Sequence, residues 1–126
     1  MVLLTKRTDP ILPGFYVEGC QPERMLSDVA TAINHKGEVL WEFPFRDHVE
    51  ELHELAGLPL PVPYSVLMPG GEIRGRAQAD WAHTNTIEVL PDTPLGRRDE
   101  RFRAGNILFS FRSLDIIGVA DVEREE

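Results

Sequence analysis

The run Asp80-Trp81-Ala82-His83-Thr84-Asn85 gathers the residue types that acid/base chemistry uses. It offers a carboxylate, an imidazole that titrates near neutrality, two neutral hydrogen-bonding groups and a large aromatic able to wall a pocket. If the backbone is extended here, Trp81 and His83 share one face and Asp80 lies on the other, so a direct Asp80–His83 pair requires a turn. The competing reading puts Trp81 in the core and leaves Asp80, His83 and Asn85 to make local turn bonds. Asp80 and His83 are therefore the catalytic candidates, with Trp81 as a binding residue beside them.

The other polar clusters select no reaction. His48 and His53 are five positions apart, roughly 140° around a helix, so HVEELH is not the HExxH zinc pattern. A site built from His83, Asp80 and a distant ligand has no signature in the spacing, and no metal or cofactor is expected. His35 reads as a turn residue. Cys20 has no catalytic signature around it and reads as a buried thiol, and Ser65, Ser110 and Ser113 lack a GxSxG elbow. Gly70-Gly71 and Gly75 form neither GxGxxG nor a P-loop.

Arginine is the more informative basic residue, with eleven copies against two lysines. Arg74 and Arg76 alternate onto one strand face, and Arg97, Arg98, Arg101 and Arg103 follow in a loop. Such guanidinium forks suit carboxylate or phosphate. Asp99 and Glu100 interrupt the run, so a mixed-charge surface competes with an anion- or protein-binding patch.

These residues must be positioned by a chain of 126 residues and 14.3 kDa, the size of one domain. Hydrophobic residues at 42% and charged residues at 27% match a folded globular chain rather than a disordered one. No repeat or low-complexity tract divides it, so residues 1–126 read as a single domain with an acidic, frayed tail at 121–126. The opening MVLLTKRTDP lacks an apolar signal region, and LAGLPLPVPYSVLM is interrupted by prolines, which argues against export and membrane spanning. One cysteine excludes an internal disulfide and a multi-thiolate zinc site, and a cytoplasmic setting is expected. The net charge of −8 argues against a surface devoted to nucleic-acid backbone.

The spacing predicts a strand at about 14–18, after a start whose TDP and LPG are turn signals. A hairpin is expected over about 28–43, around Asn34-His35-Lys36-Gly37, in competition with a helix over 22–34 that Pro22 and Gly37 would bound. The clearest helix is DHVEELHELAG, with Asp47 as cap, Glu50 closing a capping box, Gly57 as exit and Val49, Leu52, Leu55 and Ala56 as the buried face. Glu50, Glu51 and Glu54 point to water. Pro59-Leu60-Pro61-Val62-Pro63 reads as a connector or edge segment, and 64–76 as a hairpin turning at Pro69-Gly70-Gly71. A strand at 86–90, a surface loop at 91–103 and a terminal hairpin through 107–111 and 115–120 complete the chain.

Strands therefore surround one main amphipathic helix. The expected fold is α+β, with a small rolled or partly closed antiparallel sheet. The ending ILFSFRSLDIIGVAD resembles the last hairpin of small SH3-like barrels.

Three functions are compatible with these residues. The first is a non-catalytic protein-binding or self-assembly module, in which the arginine loop and acidic tail could meet between subunits. The second is a small acid/base enzyme, or a binder of a small polar or acidic ligand, with a pocket of Trp81, Trp41 and Phe43 around His83. The third, disfavoured by charge, is a nucleic-acid module using arginines with Phe102, Phe109 and Phe111.

Overall fold

The computed structural model describes residues 1–10, 15–16, 24–58, 60–63 and 78–124. Cys20, Arg74, Arg76 and the hairpin expected at 64–76 lie outside the described residues. In chain order the elements are β1 (Val2–Pro10), β2 (Phe15–Tyr16), β3 (Arg24–Ile33), β4 (Val39–Pro44), α1 (Val49–Leu55), β5 (Val62–Pro63), β6 (Gln78–Asp80), β7 (Thr84–Val89), β8 (Ile107–Phe111) and β9 (Ile116–Ala120). The class is α+β, mostly sheet with one short helix. The described strands fall into three open sheets, β1–β3–β4 with β6, β2–β5 and β7–β8–β9, and none is closed as a barrel.

β3 organises the first sheet. Antiparallel β1 runs along one edge from Val2↔Ala32 to Pro10↔Arg24. The other edge is divided between antiparallel β4 at residues 29–33 and parallel β6 at 24–26. A second parallel pair, β2 with β5, also departs from the expected antiparallel pattern. Met25, Ser27, Asp28, Val29, Ala30, Thr31 and Ala32 are all buried, so both faces of β3 are covered. A strand buried on both faces loses its period-2 signature, which is why helix and strand periods compete in this stretch. The hairpin is the reading that holds. Asn34 Oδ1 accepts from the backbone N–H groups of Lys36 and Glu38 at 2.8 and 3.0 Å, and Gly37 takes φ +83°.

β1 is the element the sequence conceals. TDP is not a turn here: Thr8, Asp9 and Pro10 continue the strand, and Pro10 is tolerated as the terminal residue of an edge strand.

The helix differs from expectation at both the cap and the buried face. Its first turn is a 3-10 turn at Phe45–His48, α1 proper begins at Val49, and no side chain caps it. Phe45 decides this. It is 1% exposed and meets Phe43, Phe109 and Phe111 at centroid distances of 5.4, 5.1 and 4.9 Å. Burying such a ring stabilises by about 3–5 kcal/mol, against about 1 kcal/mol for a capping bond, so the winding starts where Phe45 can enter the core. Val49, Leu52 and His53 are buried, whereas Leu55 is 71% exposed.

The expected exit holds. Gly57 (φ +69°) donates to the Glu54 carbonyl and Leu58 to the His53 carbonyl, the paired bonds of a Schellman motif.

β7, β8 and β9 form the second, antiparallel sheet, with Ile107, Phe109 and Phe111 turned inward. β7 begins at Thr84, two residues before the expected strand at 86–90, and the terminal hairpin falls close to where the alternation places it. The core between the sheets contains Met25, Ala30, Phe43, Phe45, Leu52, Trp81, Phe109, Phe111 and Leu114. No helix among the described residues is long and apolar enough to cross a membrane.

Candidate functional site

Trp81, Ala82 and His83 form a bend between β6 and β7, with His83 in the left-handed region at φ 49°. The carbonyls of Ala82 and His83 accept from the N–H groups of Ser113 and Arg112, which ties the bend to the turn of the last hairpin. Trp81 is 0% exposed and donates its indole N–H to His53 Nε2 at 2.6 Å. The ring therefore belongs to the core. Trp41 is half-buried, Phe43 is in the core, and Asp80 ends β6 opposite Leu26.

His53 carries no accessible chemistry. It is 0% exposed, Nδ1 hydrogen-bonds the Leu58 carbonyl at 2.8 Å, and Nε2 receives the Trp81 N–H. Both bonds are satisfied only by the neutral imidazole with its proton on Nδ1. Burial pushes its pKa below the usual histidine value, partly offset by the Leu58 bond. Asp28 is likewise a structural tie. Its buried Oδ2 accepts from the Thr84 N–H and hydroxyl at 2.8 and 2.7 Å, while Oδ1 faces Lys6 Nζ at 3.3 Å.

The arginine loop is neutralised within the chain. Arg97 makes two bonds to Asp92, and Arg101 grips Asp99 in the same way. These arginines hold both carboxyls below their usual range. Arg103 reaches Asp121 at 2.9 Å and Glu123 at 3.0 Å, and Arg124 returns to Glu100 at 2.8 Å. Loop and tail, expected to meet between subunits, clasp each other inside one molecule. Of the four loop arginines, Arg98 alone has no ion-pair partner among the described residues.

An accessible apolar concavity lies elsewhere. A slot of about 180 Å³ separates α1 from β9, with Leu52 and Leu55 on one side, Gly118, Val119 and Ala120 on the other, and Phe43, Phe45 and Phe109 below. Gly118 permits the floor: a Cβ there would sit 2.5 Å from Cζ of Phe109. His48 stacks on Phe43 with centroids 4.6 Å apart, and its Nδ1 lies 3.7 Å from Glu51 Oε2, too long for a hydrogen bond. Glu51 and His48 also border an adjoining acidic hollow with Asp47, Glu50 and Glu54.

The slot opens beside a sheet edge. β9 pairs only with β8 among the described residues, and Ile117 on it is 78% exposed. In the β8–β9 register Phe109 faces Gly118 and Ile107 faces Ala120, so those positions of β9 belong to the inner face. A further strand along β9 would direct its residues opposite Gly118 and Ala120 to that same face, into the slot.

Sequence reasoning missed this site. Its one legible trace is Leu55, assigned to the buried helix face although His53, three places after Glu50, is the residue that enters the core.

Among the described residues, no group of three or more His, Cys, Asp or Glu side chains could hold a metal ion. Comparison with protein-family models, with curated proteins and with solved structures finds no match.

Proposed function

We propose that the protein is a non-catalytic protein-binding module that adds an extended segment of a partner to the edge of β9 opposite β8. One apolar side chain of that segment enters the slot against α1. The observation that carries this reading is the slot's position: a small apolar concavity lies directly beside a strand edge that has no partner among the described residues. In strand addition the main chain supplies affinity and such a pocket supplies specificity.

Size favours a side chain over a metabolite. Pockets for drug-sized ligands measure about 300–1,000 Å³, whereas a cavity of about 150 Å³ accommodates benzene. At about 180 Å³ the slot suits one leucine- or phenylalanine-sized group. Leu55, 71% exposed and lining the slot, supplies apolar surface at its entry. A cytoplasmic setting accords with a single cysteine in the whole chain.

Selection from a random peptide library displayed on phage tests the reading. Enriched peptides should increase hydrogen-exchange protection at residues 116–120 and lose about tenfold or more affinity for Leu55→Asp. Because Leu55 is exposed, that variant should melt with the wild type. Peptides that bind Leu55→Asp equally well, or a library that yields none, would overturn it.

A further inference from the structure

We infer that the segment taken up at β9 is basic: an extended stretch of a partner protein with one large aliphatic side chain for the slot and lysine or arginine on either side of it. This rests on the strand-addition reading and assigns the partner's chemistry.

The argument is one of charge complementarity at the slot. Its rim continues through His48 and Glu51 into the hollow bordered by Asp47, Glu50 and Glu54. No lysine or arginine lines either surface among the described residues. Four acids of the 92–121 region are matched locally: Asp92 by Arg97, Asp99 by Arg101, Asp121 by Arg103 and Glu100 by Arg124. Glu50 and Glu54 are exposed and have no ion-pair partner among the described residues. Like Glu88 and Asp115 elsewhere on the surface, Glu50 and Glu54 are unpaired among the described residues, and they place that negative charge beside the apolar concavity. A lysine or arginine flanking the seated side chain would meet them without either group leaving water, and complementary charge of this kind raises the association rate and selects partners.

The same charges disfavour a second copy. Two-fold pairing of β9 with β9 would approximate chains of net charge −8 and bring equivalent acidic helices toward one another.

Two synthetic nonapeptides, Lys-Thr-Lys-Val-Leu-Val-Lys-Thr-Lys and its counterpart with every lysine replaced by glutamate, test this by titration against the labelled full chain at low salt. The lysine peptide should shift the backbone amides of 116–120 and the methyls of Leu52 and Leu55, and bind about tenfold or more tighter than the glutamate peptide. Glu50→Gln with Glu54→Gln should remove most of that difference, as should high salt. Equal binding of both peptides at β9 would overturn the basic partner and leave strand addition standing. If neither perturbs β9, strand addition itself falls, and this inference with it. Concentration-dependent shifts at β9 without peptide would identify a second copy as the occupant and overturn the proposal.

Discussion

Trp81 donates its indole N–H to Nε2 of His53 at 2.6 Å, while the opposite nitrogen of the same ring bonds the Leu58 carbonyl at 2.8 Å. One buried imidazole thus joins the bend after β6 to the C-terminal exit of α1. This polar bridge ties the end of the helix to the bend that leads into β7.

Acid should loosen this bridge. With its native pKa lowered, His53 is neutral in both folded and unfolded chains above pH about 6.5, and contributes no pH dependence there. As pH falls below about 6.5, the unfolded chain takes up a proton that the native ring refuses, so stability falls toward the lowered native pKa. In urea unfolding, His53→Leu should lose about 2–4 kcal/mol near neutrality through the orphaned Trp81 and Leu58 groups, and should show a shallower decline into acid than the wild type. Parallel pH profiles would refute the assignment.

The Asp28–Thr84 tie should be worth more than a neutral hydrogen bond. Thr84→Val removes the hydroxyl that reaches Asp28 Oδ2 and keeps the backbone N–H. The expected loss is about 1.5–3 kcal/mol by denaturant titration, since the lost bond is to a charged acceptor in the interior.

Gly118 should resist enlargement. In Gly118→Ala the new methyl must displace the Phe109 ring from a 2.5 Å approach, at about 1–3 kcal/mol of stability and with loss of the slot floor. Thermal melting together with peptide affinity checks both effects.

The arginine clasp should matter little to global stability. Arg103 pairs with Asp121 and Glu123 near the surface, where such bridges contribute about 0–1 kcal/mol. Arg103→Ser should therefore barely move the melting temperature, while hydrogen exchange at 121–124 accelerates.

The parts of the fold legible in the sequence are those whose signal is local. Asn34 through Gly37 specify the β3–β4 turn by side-chain chemistry and a positive φ, and Ile107-Leu108-Phe109-Ser110-Phe111 declares β8 by alternation. β1 was hidden because its partner strand supplies the order: half-exposed VLLTKRTDP has little apolar pattern of its own. The helix does not start at the cap that Asp47 offers because Phe45 outweighs it. The candidate site was illegible for a similar reason. Leu55 and Gly118 lie on separate elements, and only the packing of His53 rather than Leu55 into the core turns the former toward the latter.

The divided edge of β3 also bears on synthesis from the N-terminus. β1 and β4 emerge soon after or before β3, but β6 and the Asp28 partner Thr84 arrive much later, Thr84 being 56 residues beyond Asp28. Until then the segment from Arg24 to Asp28 has an uncovered strand edge on the nascent chain, a natural template for unwanted pairing. The interior closes around Asp28 only once translation supplies Thr84, whose N–H and hydroxyl donate to its carboxylate.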